Sequence, residues 1–510
     1  MAKDSKGPKA GHDWEPLLGD LARRREGARA MGGAEKLAKQ RQRGQLNARE
    51  RIEALLDPGS FQELGTLVGA IGEGAAADAF PAGMGTIEGR PVLVGAEDFT
   101  VMGGSIGLGG ADKRYRLTQL AREQRVPLVF ILHGAGHRIT NALKGHGRSP
   151  NDLQGLVDLA GLVPTVCIVA GPAAGHSALA APLMDFAIMT GQAALFSAGP
   201  PLVEAATGEK VDKEELGGPK IQVAQSGVAH NDVEDDAAAI ALARRYLGYF
   251  PGNAWQLPPA AEGNDLGERQ LDDILSLVPA DDRKPYAMRK VAERIVDADS
   301  LLEIQPRFGR SLLTALGRLG GRAVALVGNN PNVRAGSIDR EAAEKGARFL
   351  EIVGSFHLPV IFLADNPGVM PGTVAEQSGA LRAAARIFAA QRRLRGPKLH
   401  VTLRKAFGFG SSIMGMNPFD GQTLSVAFPG ATLGAMPARG GGAASKSDGE
   451  QQAMLDAAEL GGPYRVADSM GFDEIIDPRE LRNVLLRGLA LSGGRDAEAP
   501  IPLARRGALP

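Results

Sequence analysis

The chain has 510 residues, with 58 Lys or Arg and 58 Asp or Glu, so its formal net charge is zero. This length exceeds that of an ordinary domain several-fold and predicts two domains. Because the charge is balanced and only 5% of the residues are aromatic, we expect neither a nucleic-acid partner nor a membrane partner.

The N-terminal residues 1–16 are charged and contain no apolar stretch of the kind that secretory signals need. The single cysteine, Cys167, lies in the apolar run 166–169, which excludes an intrachain disulfide and a thiolate-clustered metal site. We therefore expect the protein in the reduced cytoplasm.

A basic helix is predicted near the N-terminus. Lys36, Lys39, Arg41 and Arg43 lie on one predicted helix that runs on through residues 48–52. Such a helix face pairs with the phosphates of a ligand or is simply solvated, and the residues alone leave both interpretations open.

The region from residue 85 to residue 136 recurs at an offset of 232. Fourteen positions are identical in the two copies, where composition alone predicts roughly four. They include the pairs Gly104/Gly336 and Gly136/Gly368, and after one added residue the match resumes near Gly175. The simplest cause is the duplication of one domain.

Both copies contain the same order of predicted elements. In the first copy a β-rich run at 91–95 precedes a Gly-Ser turn, a helix at 113–124 and a buried strand at 126–132. The second copy has the corresponding helix and strand at 341–355 and 358–364. Strands that alternate with helices predict a largely parallel α/β core.

Two further segments bear on this organisation. The uncharged run 159–184 is long enough for a membrane span, but three prolines and three glycines interrupt it, so we expect a strand, a turn and a buried helix instead. The Pro- and Gly-rich stretch 251–267 is the predicted linker between the two copies.

Each copy has two Gly-rich turns where a strand ends. The first turns lie at 132–136 and 364–368, and the second turns, at 170–176 and 405–411, lead into apolar helices. Unpaired backbone N–H groups at such turns stabilise a developing oxyanion, which suits enolate chemistry on thioesters. The alternative is that the glycines only permit tight turns.

Other site types find less support. The glycines of 103–110 lack dinucleotide-loop spacing, and the chain has no phosphate loop of the Walker A type. His133, His137, His176 and His230 do not fall at metal-ligand spacing, so we expect no metal site. Spacing alone leads no further than a duplicated α/β protein.

An ordered series of segments resembles the carboxyltransferase (β) subunits of propionyl-CoA and methylcrotonoyl-CoA carboxylases and the related transcarboxylase and acyl-CoA decarboxylase subunits. The segments are RGQLNARERIEALLDPGSF at 43–61, DFTVMGGS at 98–105, TGEKV at 207–211, EELGG at 214–218, SGVAH at 226–230, DNPGVMPGT at 365–373, RKA at 404–406 and GFDEIIDPRELR at 471–482. The resemblance spans residues from about 30 to the C-terminus.

The resemblance implies an α/β fold of two tandem crotonase-like (ClpP/crotonase) domains. Residues 1–265 would hold the CoA thioester and residues 266–510 would receive biotin. The implied reaction moves CO2 from N1-carboxybiotin on a separate carrier protein to the α-carbon of an acyl-CoA, as in fatty acid metabolism. Biotin itself takes the α-proton, so no side chain need act as a base.

The resemblance also implies partners and site residues. The partners are a biotin carboxylase and a biotin carboxyl carrier (α) subunit, and the assembly is a homohexamer of two stacked trimers. The thioester carbonyl would face the amides of Ala135 and Gly136, and the ureido oxygen of biotin those of Phe409 and Gly410. The substrate-binding set is Lys36, Lys39, Arg41, Arg43, Gly104, Gly175, His176 and Ser412, and the biotin-binding set is Pro367, Gly368, Gly408 and Ser411.

Three turns depart from the family pattern. The usual SGGARI turn reads GAGHRI at 134–139, the GGAV turn reads GHSA at 175–178, and the GGAYDVM turn reads GFGSSIM at 408–414. Because these changes fall on the pocket, the acyl chain stays open. The reverse transfer, decarboxylation of a malonyl-type thioester onto biotin, and a catalytically silent scaffold subunit stay open as well.

Overall fold

The computed structural model describes residues 14–70, 74–144 and 151–495. The first half contains strands β1–β8 at Gln62–Leu64, Ala82–Ile87, Arg90–Ala96, Leu128–Gly134, Thr165–Ala174, Phe186–Thr190, Ala194–Phe196 and Asn231–Val233. Its helices α1–α10 are Trp14–Arg29, Ala34–Gln42, Ala48–Leu55, Leu108–Gln124, Asp152–Leu159, His176–Leu183, Pro200–Thr207, Lys213–Gly217, Pro219–Gln222 and Asp236–Gly248.

The second half repeats this arrangement. Its strands β9–β16 are Leu302–Glu303, Leu312–Leu319, Arg322–Asn329, Val360–Asn366, Lys398–Phe407, Leu424–Ala427, Thr432–Gly434 and Glu474–Ile475. Its helices α11–α20 are Ile274–Leu277, Met288–Ile295, Arg340–Ser355, Thr373–Ser378, Ala380–Arg393, Gly408–Ile413, Ala438–Ser445, Gly449–Leu460, Gly462–Asp468 and Leu481–Leu491.

The two sheets have the same topology. The first runs β1-β2-β3-β4-β5-β6-β8 with β7 beside β5, and the second runs β9-β10-β11-β12-β13-β14-β16 with β15 beside β13. In each sheet the first three strands are antiparallel and the rest pair in parallel. The repeat read from the sequence is therefore a repeat of the fold.

The register of the repeat is maintained through the centre of both sheets. Strand β12 lies 232 residues after β4 at both of its ends, and β13 lies 233 residues after β5. The pairing of β4 with β5 is irregular after Leu132, and that of β12 with β13 is irregular after Ala364. Because the irregularity opens the ladder at the carboxyl end of each strand, it frees backbone there for a site.

The central strands are buried on both faces. Residues 128–134 of β4 and 165–171 of β5 are all buried, as expected of parallel strands covered by helices on both sides. The uncharged run 159–184 forms β5, a turn and α6, which agrees with the sequence prediction. Within the described ranges, every helix is too short or too polar to cross a bilayer.

The prediction of one continuous N-terminal helix was wrong, because the chain forms two helices, α2 and α3. Gly44 has a φ of +72°, a left-handed conformation that no helix interior adopts. The side chain of Asn47 then accepts hydrogen bonds from the amides of Arg49 and Glu50, and Glu50 accepts one in return from the Asn47 amide. This capping box starts α3 as a new helix.

The segment 251–267 contains neither helix nor strand, as expected of a linker. The two halves nevertheless pack together. Arg348 on α13 donates to the carbonyls of Pro182 and Met184, and the rings of Phe250 and Phe356 meet edge to face at 5.5 Å. The domain boundary after residue 265 stays a prediction.

Candidate active site

The first corner of the N-terminal half follows β4. The amide of Ala135 donates to the carbonyl of Gly103 at 3.0 Å, so it is not available to a ligand. Gly136 has a φ of +80°, and within residues 14–70, 74–144 and 151–495 no group accepts a hydrogen bond from its amide. The predicted donor pair must be corrected, because only Gly136 of the two has a free N–H.

The second corner follows β5 and brings another free amide beside Gly136. Gly175 has a φ of +58° and donates to the carbonyl of Phe196. His176 then begins α6, where the first N–H groups have no intrahelical partner. A Cβ built on Gly136 would lie 3.8 Å from the Cα of Gly175, so the two turns are in contact. The free donors of this half are therefore Gly136 and His176.

Gly104 shapes the first turn and binds nothing itself. It has a φ of +66°, and a Cβ there would lie 2.3 Å from the carbonyl oxygen of His133. Its amide donates to the carbonyl of Val101. The predicted substrate contact through Gly104 is thus limited to what its backbone shape allows.

A buried ionic network lies under the N-terminus of α6. Arg114 donates to Glu97 at 3.0 Å and to Asp152 at 2.7 Å, and all three side chains are at most 1% exposed. Asp152 also accepts from His176 at 2.5 Å, and Glu97 accepts from the hydroxyl of Ser177 at 2.5 Å. The first two side chains of α6 are therefore tied to one guanidinium, which orients the free amide of His176.

His133 forms the floor of the first turn and is held neutral. Its ring stacks on Phe99 at 4.5 Å between centroids, and its Nδ1 accepts from Arg51 at 3.2 Å. Burial lowers its pKa to about 3, and the charges of Arg51, Arg43 and Lys213 act in the same direction. Its lone pair is occupied, so His133 is a structural residue and not a base.

The structure divides the predicted basic residues into two groups. Lys36 donates to the carbonyl of Thr100, while Lys39 and Arg41 form exposed ion pairs with Glu35 and Glu50. Arg43 forms no ion pair with any described residue.

Lys213, at the start of α8, is likewise without an ion-pair partner in the described ranges, and sequence reasoning missed it. The charges of Arg43 and Lys213 both reach His133, so the two cations lie on the same side of the first turn. The only signal for Lys213 was its place between two family-like segments.

The C-terminal half contains the equivalent corner with different donors. Pro367 has no N–H, and the amide of Gly368 donates to the side chain of Asn366 at 3.0 Å. Gly408, with a φ of +57°, precedes Phe409 and Gly410 in the first turn of α16, where amides lack intrahelical partners. The available donors are thus those predicted, Phe409 and Gly410.

Close packing explains why one of these positions is a glycine. A Cβ on Gly410 would lie 2.4 Å from Oδ1 of Asn366, whereas the ring of Phe409 is 54% exposed and projects over the corner. Ser411 donates its hydroxyl to the carbonyl of Gly408 at 2.7 Å, which leaves it a turn-stabilising role. Ser412 is half-buried beside it.

The duplicated corners have diverged beneath the surface. At the positions of His133 and Gly171 in the first half, the second half has Asp365 and Arg404, which form a buried ion pair at 2.8 Å. Arg404 also donates to three carbonyls of residues 279–284. In the described part of the chain, no three His, Cys, Asp or Glu side chains are placed to hold a metal ion.

Comparisons with known proteins agree with the two corners. The family described as "Carboxyl transferase domain" matches residues 39–506. The carboxyltransferase subunit of propionyl-CoA carboxylase from Haloferax mediterranei is 32% identical over 95% of this chain and 98% of its own length. The α subunit of methylmalonyl-CoA decarboxylase from Veillonella parvula is 32% identical over 92% of this chain and 95% of its own.

A solved structure matches the fold across its whole length. The transcarboxylase 12S structure, described as a hexamer with methylmalonyl-coenzyme A bound, superposes with a TM-score of 0.90 at 33% identity and covers 98% of this chain and 100% of its own. This match confirms the prediction of two tandem α/β domains. The chain therefore belongs to the carboxyl transferase domain family, the carboxyltransferase subunits of biotin-dependent acyl-CoA carboxylases, and is a carboxyltransferase.

Proposed function

We propose that the chain transfers a carboxyl group between N1-carboxybiotin on a separate carrier protein and the α-carbon of an acyl-CoA. The observation that carries this proposal is the pair of equivalent corners, each with two free amides at the start of a helix. Carboxylation passes through two anions, a thioester enolate and a biotin ureido anion. Two preorganised donor pairs are what such a reaction needs.

The N-terminal corner binds the thioester. The carbonyl oxygen accepts hydrogen bonds from the amides of Gly136 and His176, and both bonds strengthen as charge builds on that oxygen in the enolate. The buried network of Arg114, Glu97 and Asp152 holds α6 in place, so the donors need no reorganisation during the reaction. His176, where the family has glycine, narrows the space for the acyl chain.

The phosphates of CoA bind Arg43 and Lys213. Both are exposed cations without an ion-pair partner in the described ranges, and both act on the same side of the first turn. Lys39 and Arg41 are secondary candidates, because exposed ion pairs contribute little and exchange readily. Lys36 is tied to a backbone carbonyl and contributes mainly its charge.

The test of this subsite compares two thioesters. Replacing Arg43 and Lys213 by glutamine raises KM for acyl-CoA at least about tenfold, since each lost charge-assisted contact is worth roughly 1.5–3 kcal/mol. The same double variant leaves KM unchanged for an acyl-pantetheine thioester, which lacks the nucleotide phosphates. Lys210→Gln, an exposed neighbour paired with Glu204, is the matched control. Equal effects on both thioesters contradict the assignment.

The C-terminal corner receives biotin. The ureido oxygen accepts from the amides of Phe409 and Gly410, and Pro367, Gly368, Gly408 and Ser411 shape the turn around it. The assembly is a homohexamer, in keeping with the hexamer assembly described for transcarboxylase 12S. A biotin carboxylase and a biotin carrier complete the system, and the lone buried Cys167 suits a cytoplasmic location.

Direction is the point on which relatives differ. One similar protein is named a propionyl-CoA carboxylase subunit and another a methylmalonyl-CoA decarboxylase subunit. We assign carboxylation as the forward activity and keep the reverse transfer as the alternative. A silent scaffold is less well supported, because both corners retain their free amides despite the changed residues.

Reconstitution tests the proposal. The protein is mixed with a biotinylated carrier and a biotin carboxylase, and ATP-dependent carboxylation is followed over acyl-CoAs from two carbons upward. We expect turnover on one chain class and its loss in Gly410→Ala, whose Cβ would lie 2.4 Å from Asn366. Gly430→Ala, with no atom within 4 Å, is the control. Decarboxylation of methylmalonyl-CoA alone would assign the reverse direction, and no turnover in either assay would favour the scaffold.

A further inference from the structure

His176 presents a side chain as well as an amide to the thioester corner. Its Nε2 contacts Oδ1 of Asp152 at 2.5 Å, and the side chain is 27% exposed. A carboxylate accepts hydrogen bonds and cannot donate them, so the ring proton lies on Nε2. The other ring nitrogen, Nδ1, therefore has a free lone pair.

Asp152 is built to stay ionised in this role. Its second oxygen accepts from Nε of Arg114 at 2.7 Å, and its side chain is 1% exposed. Burial alone raises the pKa of Asp152, but the charge of Arg114 and the hydrogen bond from His176 outweigh burial and hold that pKa below its usual range. An ionised carboxylate fixes the tautomer of the imidazole and stabilises its protonated form.

The basic nitrogen has no partner inside the protein. Among the described residues, the ring of His176 has no hydrogen-bond partner other than Asp152. The same residue supplies the free amide at the start of α6, next to Gly136. A thioester oxygen on these two amides therefore places its α-carbon close to the His176 side chain.

Neighbouring histidines do not have this arrangement. His137, whose ring centroid lies 6.4 Å from that of His176, has its Nε2 lone pair occupied by the side-chain amide of Asn141 at 3.3 Å. That same amide group also donates to the carbonyl of Ile106. Of the imidazoles at this corner, His176 is the one with an orienting carboxylate behind it and an open nitrogen in front.

We propose that His176 is a catalytic base at the α-carbon of the bound thioester, oriented by Asp152. This role rests on the proposed thioester site and goes beyond it, because it gives this chain a proton acceptor of its own. Nδ1 takes the α-proton, and the electron pair of the C–H bond becomes the enolate, held by the amides of Gly136 and His176.

The carboxyl transfer then balances. The N1–C bond of carboxybiotin breaks, CO2 is released, and the electron pair stays on N1. The enolate α-carbon forms a bond to the carbon of CO2, and the proton on His176 passes to the N1 anion. His176 is neutral again, and the products are the carboxylated thioester and biotin.

Without biotin, the same base must exchange the α-hydrogen with solvent. The experiment incubates the full-length protein with acyl-CoAs of two to eight carbons in D2O, with no biotin present, and measures α-deuteration by mass spectrometry. Binding of each thioester is measured in parallel by calorimetry. We expect deuteration by the wild-type protein and a fall of at least about 100-fold in His176→Gln, the ordinary contribution of general base catalysis.

Two further variants isolate the role of the side chain. His176→Gln keeps the backbone amide and can still bond Asp152, so thioester affinity stays near the wild-type value. Asp152→Asn lowers exchange by disturbing the tautomer, whereas His137→Gln leaves it unchanged. Thioester binding without exchange in the wild type, or exchange that survives in His176→Gln, overturns the role of His176 alone. If no thioester binds at all, the proposed function fails and this inference fails with it.

Discussion

Gly136→Ala adds a single methyl group at the turn that carries one of the two thioester donors. Gly136 has a φ of +80°, and its added Cβ would lie 2.5 Å from the carbonyl oxygen of Ala174 at the end of β5. Ordinary contact between these atoms is about 3.4 Å. The turn must therefore move by roughly 1 Å, and the Gly136 amide moves with it.

The cost can be worked from this displacement. Losing one donor of an oxyanion site lowers kcat by about 100- to 1,000-fold, which is roughly 3–4 kcal/mol. A misplacement of about 1 Å is enough to cost about 100-fold by itself. We therefore expect Gly136→Ala to lower kcat by at least about 100-fold while the protein stays folded, because the strain of a left-handed alanine is only about 1–3 kcal/mol.

Gly103→Ala is the matched control. Gly103 also has a positive φ, +65°, and lies in the neighbouring turn, but a Cβ there has no atom within 4 Å. It therefore carries the same backbone strain without the collision, and its carbonyl still accepts from Ala135. Steady-state carboxylation and circular dichroism are measured for both. A wild-type kcat in Gly136→Ala, or an equal loss in Gly103→Ala, would refute the assignment of Gly136 as a donor.

Three further predictions concern the rest of the molecule. Phe409→Ala changes KM for free biotin but shifts stability by less than about 0.5 kcal/mol, since the ring is 54% exposed; biotin-dependent kinetics and a thermal melt test this. Cys167 resists alkylation in the native protein, because it is fully buried and burial raises the pKa of its thiol; thiol titration should detect it only in denaturant. Burial lowers the pKa of His400 from 6.5 to about 4, so its neutral form contributes stability above pH 6.5 that is lost as pH falls toward 4. Relative to His400→Gln, the wild type should lose about 3 kcal/mol more over that interval in denaturant titrations, and parallel curves would contradict this.

Local patterns predicted the architecture well. The duplication at an offset of 232 places β12 at the repeat of β4, and both strands end in the Gly-rich turns expected of them. Prediction worked here because strand burial, turn glycines and the order of elements are written within short windows of sequence. The continuous N-terminal helix failed for the opposite reason, since the cap at Asn47 and the left-handed Gly44 prevailed over a basic run that looked helical throughout.

The choice of donors was beyond the reach of pattern. Ala135 and Gly136 look equivalent along the chain, and the distinction between them is that the turn at Gly103 approaches and takes the Ala135 amide. The replacement donor, His176, comes from another turn, 40 residues away in sequence. Whether an N–H is free depends on which acceptors the fold brings near it, and that is not a local property.

The sequence by itself determined the duplicated α/β fold, the family and the corners where chemistry takes place, because these follow from short-range patterning and from segments that stay similar among relatives. Only the tertiary structure showed that Arg114 joins Glu97 and Asp152 beneath α6, and that Asp152 orients His176. Buried charges are stable only when fully paired, so their partners come from wherever the packed chain places them, and no window of sequence contains that information.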